Sequence, residues 1–255
     1  MQFYAEKFVI FVLVLIRMIS MFAVAPVLGN ESIPTQLKIW TSAFLAYAIF
    51  PMISAGTPSI SLDLGSLVLY AMQESIVGLV IGFTTVLIFH GVTYAGEIIG
   101  IDMGFSISSV IDPQNGFNVP VIGQFQYMVA IFIFLILNGH IFLLQAVKMS
   151  YSAVPIGGLN LSGMAVDRFV RITGMVFVTA IKVVAPVMIS FFLADVMLGI
   201  IAKMVPQINV FFLGMPAKIG IGFFALIASL PFFVYVFGRL LDGFEQNIVE
   251  LVRAM

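Results

Sequence analysis

Six apolar segments follow one another along this chain, and they constrain its fold more than any other feature. They cover residues 8–28, 39–53, 64–92, 125–147, 169–205 and 210–237. A helix of about 20 mainly apolar residues can cross the hydrocarbon layer of a membrane. We therefore predict an all-α, multi-helix integral membrane protein. The last two segments are longer than the layer is thick, so we expect their helices to tilt, bend or protrude. Residues 205–216, which contain two prolines and a glycine, look like the tip of a helical hairpin between them.

The composition supports this prediction because it leaves too little polar material to coat a soluble protein. Of 255 residues, 62% are hydrophobic and 9% are charged, whereas soluble domains carry about 25% charged residues. Lipid must therefore act as much of the solvent. The net charge is -1 and no basic run is present, which argues against nucleic acid as a partner. The chain has no cysteine, which excludes disulfides and thiolate metal sites.

Charged side chains inside the apolar segments carry the most information. They are Arg17, Glu74, Lys182 and Asp195. A charge at the bilayer centre is costly unless it faces protein or water. The charges could form an ion or proton path, or they could form ion pairs between helices or subunits, and we favour the pairs. We expect that a lone subunit cannot shelter these groups and that neighbouring proteins do so.

Direct pairing between Lys182 and Asp195 is excluded on a straight helix, because thirteen residues separate them by about 20 Å. Two further carboxylates, Glu97 and Asp102, lie beside a series of glycines. They make this part of the chain too polar to face lipid. We therefore predict that all six charged residues take part in contacts between helices or subunits.

Glycines recur every four residues in two places. Gly78 and Gly82 form the first pair, and Gly96, Gly100 and Gly104 form the second series. On a helix this spacing makes a flat ridge that another backbone can approach closely. The pattern predicts close packing and identifies no function by itself.

An irregular stretch at residues 104–120 follows the second glycine series. It contains turn signals at Asp112-Pro113 and at Asn115-Gly116 and has no positive charge. Irregular backbone survives at membrane depth only where protein buries it or where it lines a watery cavity. The stretch is therefore either an ordinary surface loop or a re-entrant element that enters a pore, and spacing alone favours the surface loop.

Catalytic chemistry finds no support in the sequence. His90 and His140 are the only histidines, and an intramembrane histidine is more often a hydrogen-bonding structural residue than a metal ligand. The phosphate-binding glycine loop, the nucleophile elbow and the metalloprotease helix motif are absent. We predict that the chain is not an enzyme, that it needs no cofactor and that it has no metal site.

Ordered motifs along nearly the whole chain resemble those of the FliR family of flagellar export-apparatus proteins, which is homologous to the virulence type III secretion subunits of the SctT, YscT and SpaR kind. These motifs are Arg17 with residues 25–29 and 32–34, Glu74 with Gly78 and Gly82, residues 96–105, residues 112–114, residues 137–140, residues 193–195, and residues 206–211 with 214–218. No single motif is specific, but their order is.

The resemblance implies a structural and gating subunit of the flagellar type III export gate, through which unfolded proteins cross the bacterial inner membrane at the flagellar basal body. It implies FliP-like, FliQ-like and FlhB-like partners, with FlhA-like subunits and basal-body ring and rod proteins as further neighbours. It also implies tilted helical hairpins in a helical assembly, with a FliP-like part at about residues 1–165 and a FliQ-like hairpin and tail at residues 166–255.

A plug loop that closes the export channel is a further implication of the resemblance. By position this loop matches residues 106–122, which overturns the preference for a surface loop. The residues assigned to the plug are Phe105, Ser106, Ile107, Ser108, Ser109, Val110, Ile111, Asp112, Pro113, Gln114, Asn115, Gly116 and Phe117. The alternatives are a subunit of a virulence secretion system and, with less support, a secondary transporter, which would bind its solute near the midplane.

Overall fold

The computed structural model describes residues 2–30, 33–54, 60–105, 121–160, 162–207 and 209–255, and these residues form seven helices without a strand. The helices are α1 (Gln2–Val24), α2 (Thr35–Ser54), α3 (Leu64–Asp102), α4 (Val121–Ile136), α5 (Gly139–Ala153), α6 (Gly163–Met204) and α7 (Val210–Ala254). Five of them are long and apolar enough to cross a membrane, and the bent pair α4 and α5 would make a sixth span. The prediction of an all-α membrane protein is confirmed.

The bend between α4 and α5 lies at the polar break that interrupts the fourth apolar segment. Asn138 takes the left-handed conformation with φ 59° and ψ 26°, which asparagine tolerates better than most residues. The two helices diverge by 67° at this point. One apolar segment therefore forms two short helices.

The hairpin tip is shorter than the sequence suggests. We expected residues 205–216 to form it, but α7 already begins at Val210 and contains Pro216. Pro216 is the seventh residue of α7, beyond the first turn, so it removes the hydrogen bond to the Phe212 carbonyl oxygen, and α7 nevertheless continues through it. The connection between α6 and α7 is thus only a few residues long.

Two compact units can be distinguished, and long helices contribute to both. Unit 1 contains residues 1–87, 135–174 and 241–255. Its buried centre includes Arg17, Met18 and Leu143. The end of α7 is fastened within this unit, because the Asn160 N–H donates to the Met255 carbonyl oxygen at 2.6 Å and the Arg168 side chain pairs with Glu250.

Unit 2 contains residues 88–134 and 175–240. Phe89 lies at its centre and is 1% exposed. Its ring is 5.8 Å from Tyr127, 5.4 Å from Phe134 and 5.7 Å from Phe237, each in an edge-to-face arrangement. Such aromatic pairs add stabilisation beyond the burial of their area, so Phe89 joins α3, α4 and α7 within this unit.

Candidate functional site

Arg17 and Glu74 form a buried ion pair between α1 and α3 in unit 1. The Arg17 side chain is 0% exposed and that of Glu74 is 1% exposed. Arg17 Nε donates to Glu74 Oε2 at 2.6 Å, and Nη2 donates to Oε1 at 2.8 Å. Two parallel bonds of this kind fix both side chains in one geometry. The two residues therefore hold α1 against α3.

Residues of α5 and the turn after it complete this site. Arg17 Nη1 donates to Ser150 Oγ at 2.8 Å, and Nη2 donates to the Val154 carbonyl oxygen at 3.2 Å. The Tyr151 hydroxyl donates to Glu74 Oε2 at 3.3 Å. Arg17 Cζ lies 3.7 Å from the centroid of the Tyr151 ring, a cation–π contact that favours the charged guanidinium.

This site corrects one expectation from the sequence. We expected neighbouring proteins to shelter the intramembrane charges, and for Arg17 and Glu74 this is wrong because the chain neutralises both itself. Arg17 and Glu74 stand out in the sequence as charges in apolar segments, whereas Ser150 and Tyr151 do not. The signal was weak, since a serine and a tyrosine in an apolar helix are common and need no ionic partner.

Gly78 and Gly82 lie where α3 approaches the backbone of α1 in unit 1. A Cβ on Gly78 would collide with the Arg17 carbonyl oxygen and would lie 2.9 Å from Ser20 Cβ. A Cβ on Gly82 would lie 2.7 Å from the Met21 carbonyl oxygen. Both glycines therefore permit the approach that the Arg17 side chain needs to reach Glu74.

The second glycine series behaves differently at its three positions in unit 2. A Cβ on Gly96 would collide with the backbone of Gly123, so α3 and α4 meet there. A Cβ on Gly100 would meet the Ile122 side chain at 3.8 Å, an ordinary contact. Gly104 lies beyond the end of α3 and has a φ of 88°. Gly96 thus lies at a close approach of two backbones, whereas Gly100 makes an ordinary side-chain contact.

Gly104 ends α3 because it can adopt the left-handed conformation. Its N–H donates to the Ile101 carbonyl oxygen at 2.9 Å, and the Phe105 N–H donates to the Gly100 carbonyl oxygen at 3.0 Å. This pair of bonds is the Schellman motif, which satisfies the last carbonyl groups of a helix. Gly104 therefore lies beyond the helical part of the predicted ridge, and its left-handed conformation ends the helix.

The residues just after α3 contact α7 within unit 2. A Cβ on Gly222 would lie 2.7 Å from Met103 Cγ, and Met103 is 0% exposed. The rings of Phe105 and Phe223 lie 6.4 Å apart in an edge-to-face arrangement. The root of the predicted plug is thus packed against α7. Apart from Phe105, the predicted plug residues, 106–117, lie outside the described residues.

Three charged residues form a second, more open site in unit 2. Lys218 Nζ lies 2.6 Å from Asp195 Oδ1, and their side chains are 24% and 53% exposed. The half-buried Asp102 lies close enough to interact electrostatically with both. The charge of Lys218 therefore acts on two carboxylates, of which Asp195 is its ion-pair partner. Asp195 has a partner within the chain, which the sequence analysis did not identify.

Lys182 and Glu97 differ from the other charged residues. Lys182 is exposed on α6 and Glu97 is half-buried on α3. Neither takes part in an ion pair among the residues that the structure describes. The structure thus pairs Arg17 with Glu74, and it places Asp102 near Asp195 and its partner Lys218. Lys182 is left exposed on the surface of α6.

A metal centre has no support in the described part of the chain, where no group of three or more histidine and carboxylate side chains is placed to hold an ion. His140 is half-buried, and its Nδ1 has no hydrogen-bond partner among the described residues. The features that stand out are therefore ion pairs and close helix contacts.

Comparisons with known proteins show an export family. The family model described as bacterial export proteins, family 1, matches residues 8–244. The chain is 36% identical over 228 residues to the flagellar biosynthetic protein FliR of Bacillus subtilis (strain 168), which covers 88% of this chain and 87% of that protein. It is 29% identical over 242 residues to the flagellar biosynthetic protein FliR of Escherichia coli (strain K12), covering 93% and 92%.

A virulence protein is also similar to this chain. The surface presentation of antigens protein SpaR of Shigella sonnei is 29% identical over 209 residues, which cover 80% of this chain and 78% of that protein. The resemblance to the FliR family and to its virulence homologues is confirmed. Since the family model matches nearly the whole chain, this membrane protein belongs to the bacterial export proteins, family 1.

Proposed function

We propose that this chain is a structural and gating subunit of the flagellar type III protein-export gate. The observation that carries the proposal is the family match over residues 8–244, together with 36% identity to a FliR protein at 88% coverage of this chain. A match that extends through all the membrane helices concerns the whole architecture rather than one motif. Membership in an export family implies partners within an export apparatus.

A mechanical role fits the chemistry of the sites. Four charged groups of α1, α3, α6 and α7 form pairs that hold helices together, in the 2.6 Å contacts of Arg17 with Glu74 and of Asp195 with Lys218. Such pairs position helices and do not transform a substrate. The subunit would form part of a channel for unfolded flagellar proteins, and the energy for export would be supplied elsewhere.

The export apparatus would place the chain in the bacterial inner membrane at the flagellar basal body. Its neighbours would be FliP-like, FliQ-like and FlhB-like subunits, with FlhA-like and basal-body ring and rod proteins nearby. Residues 1–165 would correspond to a FliP-like part, and residues 166–255 to a FliQ-like hairpin and tail. The antiparallel helices α6 and α7, joined by a short tip, support the hairpin assignment.

Loss of the chain in its own bacterium tests the main proposal. We expect cells without it to lack flagellar filaments and to stop secreting flagellar proteins, and we expect the intact gene to restore both. Electron microscopy and immunoblots of culture supernatants measure these results. Normal filaments in cells without the chain would contradict the proposal.

Closure of the channel by residues 105–117 is the finer part of the proposal. Support comes from the root of this segment, where Met103 packs against Gly222 and Phe105 contacts Phe223. A rooted loop can block a lumen in one fixed position. Substrate engagement would then displace the loop.

Deletion of residues 106–116 tests the plug. We expect the assembled complex to pass small ions, measured as conductance across planar bilayers or as leakage from vesicles. A deletion of residues 55–58, between α2 and α3, is the control and should leave conductance at the level of the unmodified complex. Equal conductance in the two deletions would count against the plug.

A virulence type III secretion system is the second candidate, because SpaR of Shigella sonnei matches 80% of this chain. The same gene deletion distinguishes the two systems. Loss of filaments with normal effector secretion supports the flagellar role, whereas the reverse result supports the virulence role.

A further inference from the structure

Lys182 lies on the outer surface of α6 among apolar side chains. Val178, Ile181 and Ile189 share this surface and are 49%, 64% and 62% exposed. Lys182 is itself exposed, and no carboxylate of the described residues forms an ion pair with it. We call this surface, defined by Val178, Ile181, Lys182 and Ile189, the outer face of α6.

Lipid alone cannot cover α6 over the thickness of a membrane. The longest stretch of α6 between Arg171 and Lys203 without a charge runs from residue 183 to residue 194. At 1.5 Å per residue this is about 18 Å, whereas the hydrocarbon layer is about 30 Å thick. Any position of α6 across the layer therefore includes Lys182 or Asp195. Asp195 forms an ion pair with Lys218 at 2.6 Å, whereas Lys182 forms no ion pair with a described residue.

The register between α6 and α7 gives the depth of Lys182. Asp195 lies opposite Lys218, and Leu198 lies opposite Gly214, with 3.3 Å between Leu198 Cδ1 and a Cβ on Gly214. Continuing this antiparallel register places Lys182 at the level of Pro231. Residues 219–238 of α7 carry no charge and span about 30 Å. Lys182 therefore lies at the level of the apolar span, about 10 Å from its nearer end.

We propose that the outer face of α6 binds a membrane helix of another export-apparatus subunit, and that this helix carries an Asp or Glu at the level of Lys182. The argument is charge complementarity, because a charge at this depth must face protein or water, and an anionic side chain is the protein group that compensates a lysine. The surrounding apolar side chains suit a helix rather than a hydrophilic protein. This inference rests on the proposed function, since it requires an assembly of several membrane subunits.

Photocrosslinking in the assembled complex identifies the occupant. A photoreactive amino acid at Ile181 or Ile189 should crosslink to an apolar helix of a different subunit, and mass spectrometry should find an Asp or Glu in the crosslinked segment. A crosslinked segment without a carboxylate would overturn the proposal. Crosslinks to a second copy of this chain or to lipid alone would also overturn it.

Charge variants test whether the carboxylate pairs with Lys182. We expect Lys182→Glu to reduce the amount of that subunit retained in mild detergent at least tenfold, and Lys182→Arg to retain it within twofold of the unmodified chain. Changing the crosslinked carboxylate to Lys should restore retention in the Lys182→Glu background. Lys203→Glu, at the exposed end of α6, is the matched control and should retain the subunit normally.

Failure of this inference can be separated from failure of the proposed function. If the unmodified chain co-purifies with export-apparatus subunits and Lys182→Glu behaves as Lys203→Glu does, only the role of Lys182 is wrong. If the unmodified chain co-purifies with none of them, both proposals fail. Lys182→Leu controls for folding, because its melting temperature as an isolated subunit should equal that of the unmodified chain.

Discussion

The two units treat intramembrane charge in opposite ways. In unit 1, Arg17 and Glu74 are 0% and 1% exposed, and their hydrogen bonds end on side chains and carbonyl groups of the same unit. In unit 2, Asp195 and Lys218 are 53% and 24% exposed, a second carboxylate lies nearby, and Lys182 faces outward. We call the buried Arg17–Glu74 site of unit 1 the closed site, and the exposed Asp195–Lys218 site of unit 2 the open site.

This difference separates residues that hold the subunit together from residues that can join it to others. A buried pair enclosed by its own chain is not accessible to another subunit, and the removal of one member leaves an uncompensated charge. A half-exposed pair contributes little to the isolated chain but remains available at an interface. Substitutions of the Arg17–Glu74 pair in unit 1 should therefore affect folding, and substitutions of the charged residues of unit 2 should affect assembly.

The strongest test of the closed site in unit 1 is removal of one partner. We expect Glu74→Leu to lower the free energy of unfolding by about 3–5 kcal/mol, because Arg17 would be left buried without a counter-charge. Thermal unfolding of the purified chain in mild detergent measures this loss. The control Asp167→Ala removes an exposed pair with Arg171 and should change stability by less than about 0.5 kcal/mol.

The double variant Arg17→Leu with Glu74→Leu sharpens the result. It removes both charges and should recover most of the lost stability, since well-packed apolar residues often replace a buried ion pair without loss. If the double variant is as unstable as Glu74→Leu, the pair is not the reason for the loss. The conclusion that the Arg17–Glu74 pair stabilises the fold of unit 1 would then be wrong.

Backbone approach in unit 1 is the next test. Gly78→Ala should lower the free energy of unfolding by about 1–3 kcal/mol, because its Cβ would collide with the backbone of Arg17 and force α1 away from α3. Gly174→Ala is the matched control, since nothing lies within 4 Å of its Cβ position. It should stabilise the helix by up to about 1 kcal/mol. Equal effects of the two substitutions would contradict the close approach.

Most of the fold could be predicted from apolar segment length. Five helices of membrane length and one bent pair correspond to the six segments, because the cost of unpaired backbone groups in lipid leaves few alternatives to helices. The residues at which helices end were harder to predict. Pro216 suggested a turn but lies inside α7, and Gly104 suggested helix packing but ends α3.

The candidate site could be predicted only in part, and the pairing of Asp195 shows why. Lys182 could be excluded as the partner of Asp195 because the two lie too far apart along one helix. The partner that the structure shows, Lys218, lies on the other helix of the hairpin. Asp195 and Lys218 lie at nearly equal distances from the tip at residues 205–209, so an antiparallel hairpin brings them together. The pairing of Arg17 with Glu74 could not be derived in this way, because it depends on the packing of helices far apart in sequence.

The end of α3 gives a smaller test, within unit 2. Gly104→Ala should lower the free energy of unfolding by about 1–2 kcal/mol, because its φ of 88° is unfavourable for a residue with a Cβ. Gly220→Ala, with nothing within 4 Å of its Cβ position, should be neutral or stabilising. The same denaturation assay compares them, and equal stability of the two variants would show that α3 ends in another way.

Substitutions in the open site of unit 2 should give the smallest change in the free energy of unfolding of the isolated chain. A comparison of Asp195→Asn with Lys218→Met tests whether Asp102 takes part in the site. Asp195→Asn removes one of two carboxylates that share Lys218, so the lysine keeps Asp102 and stability should change by less than about 0.5 kcal/mol. Lys218→Met leaves two carboxylates without their shared cation and should be less stable than Asp195→Asn, by up to about 1 kcal/mol. If Asp195→Asn is instead the less stable variant, Asp102 takes no part in the site, and unit 2 would contain a simple pair as unit 1 does.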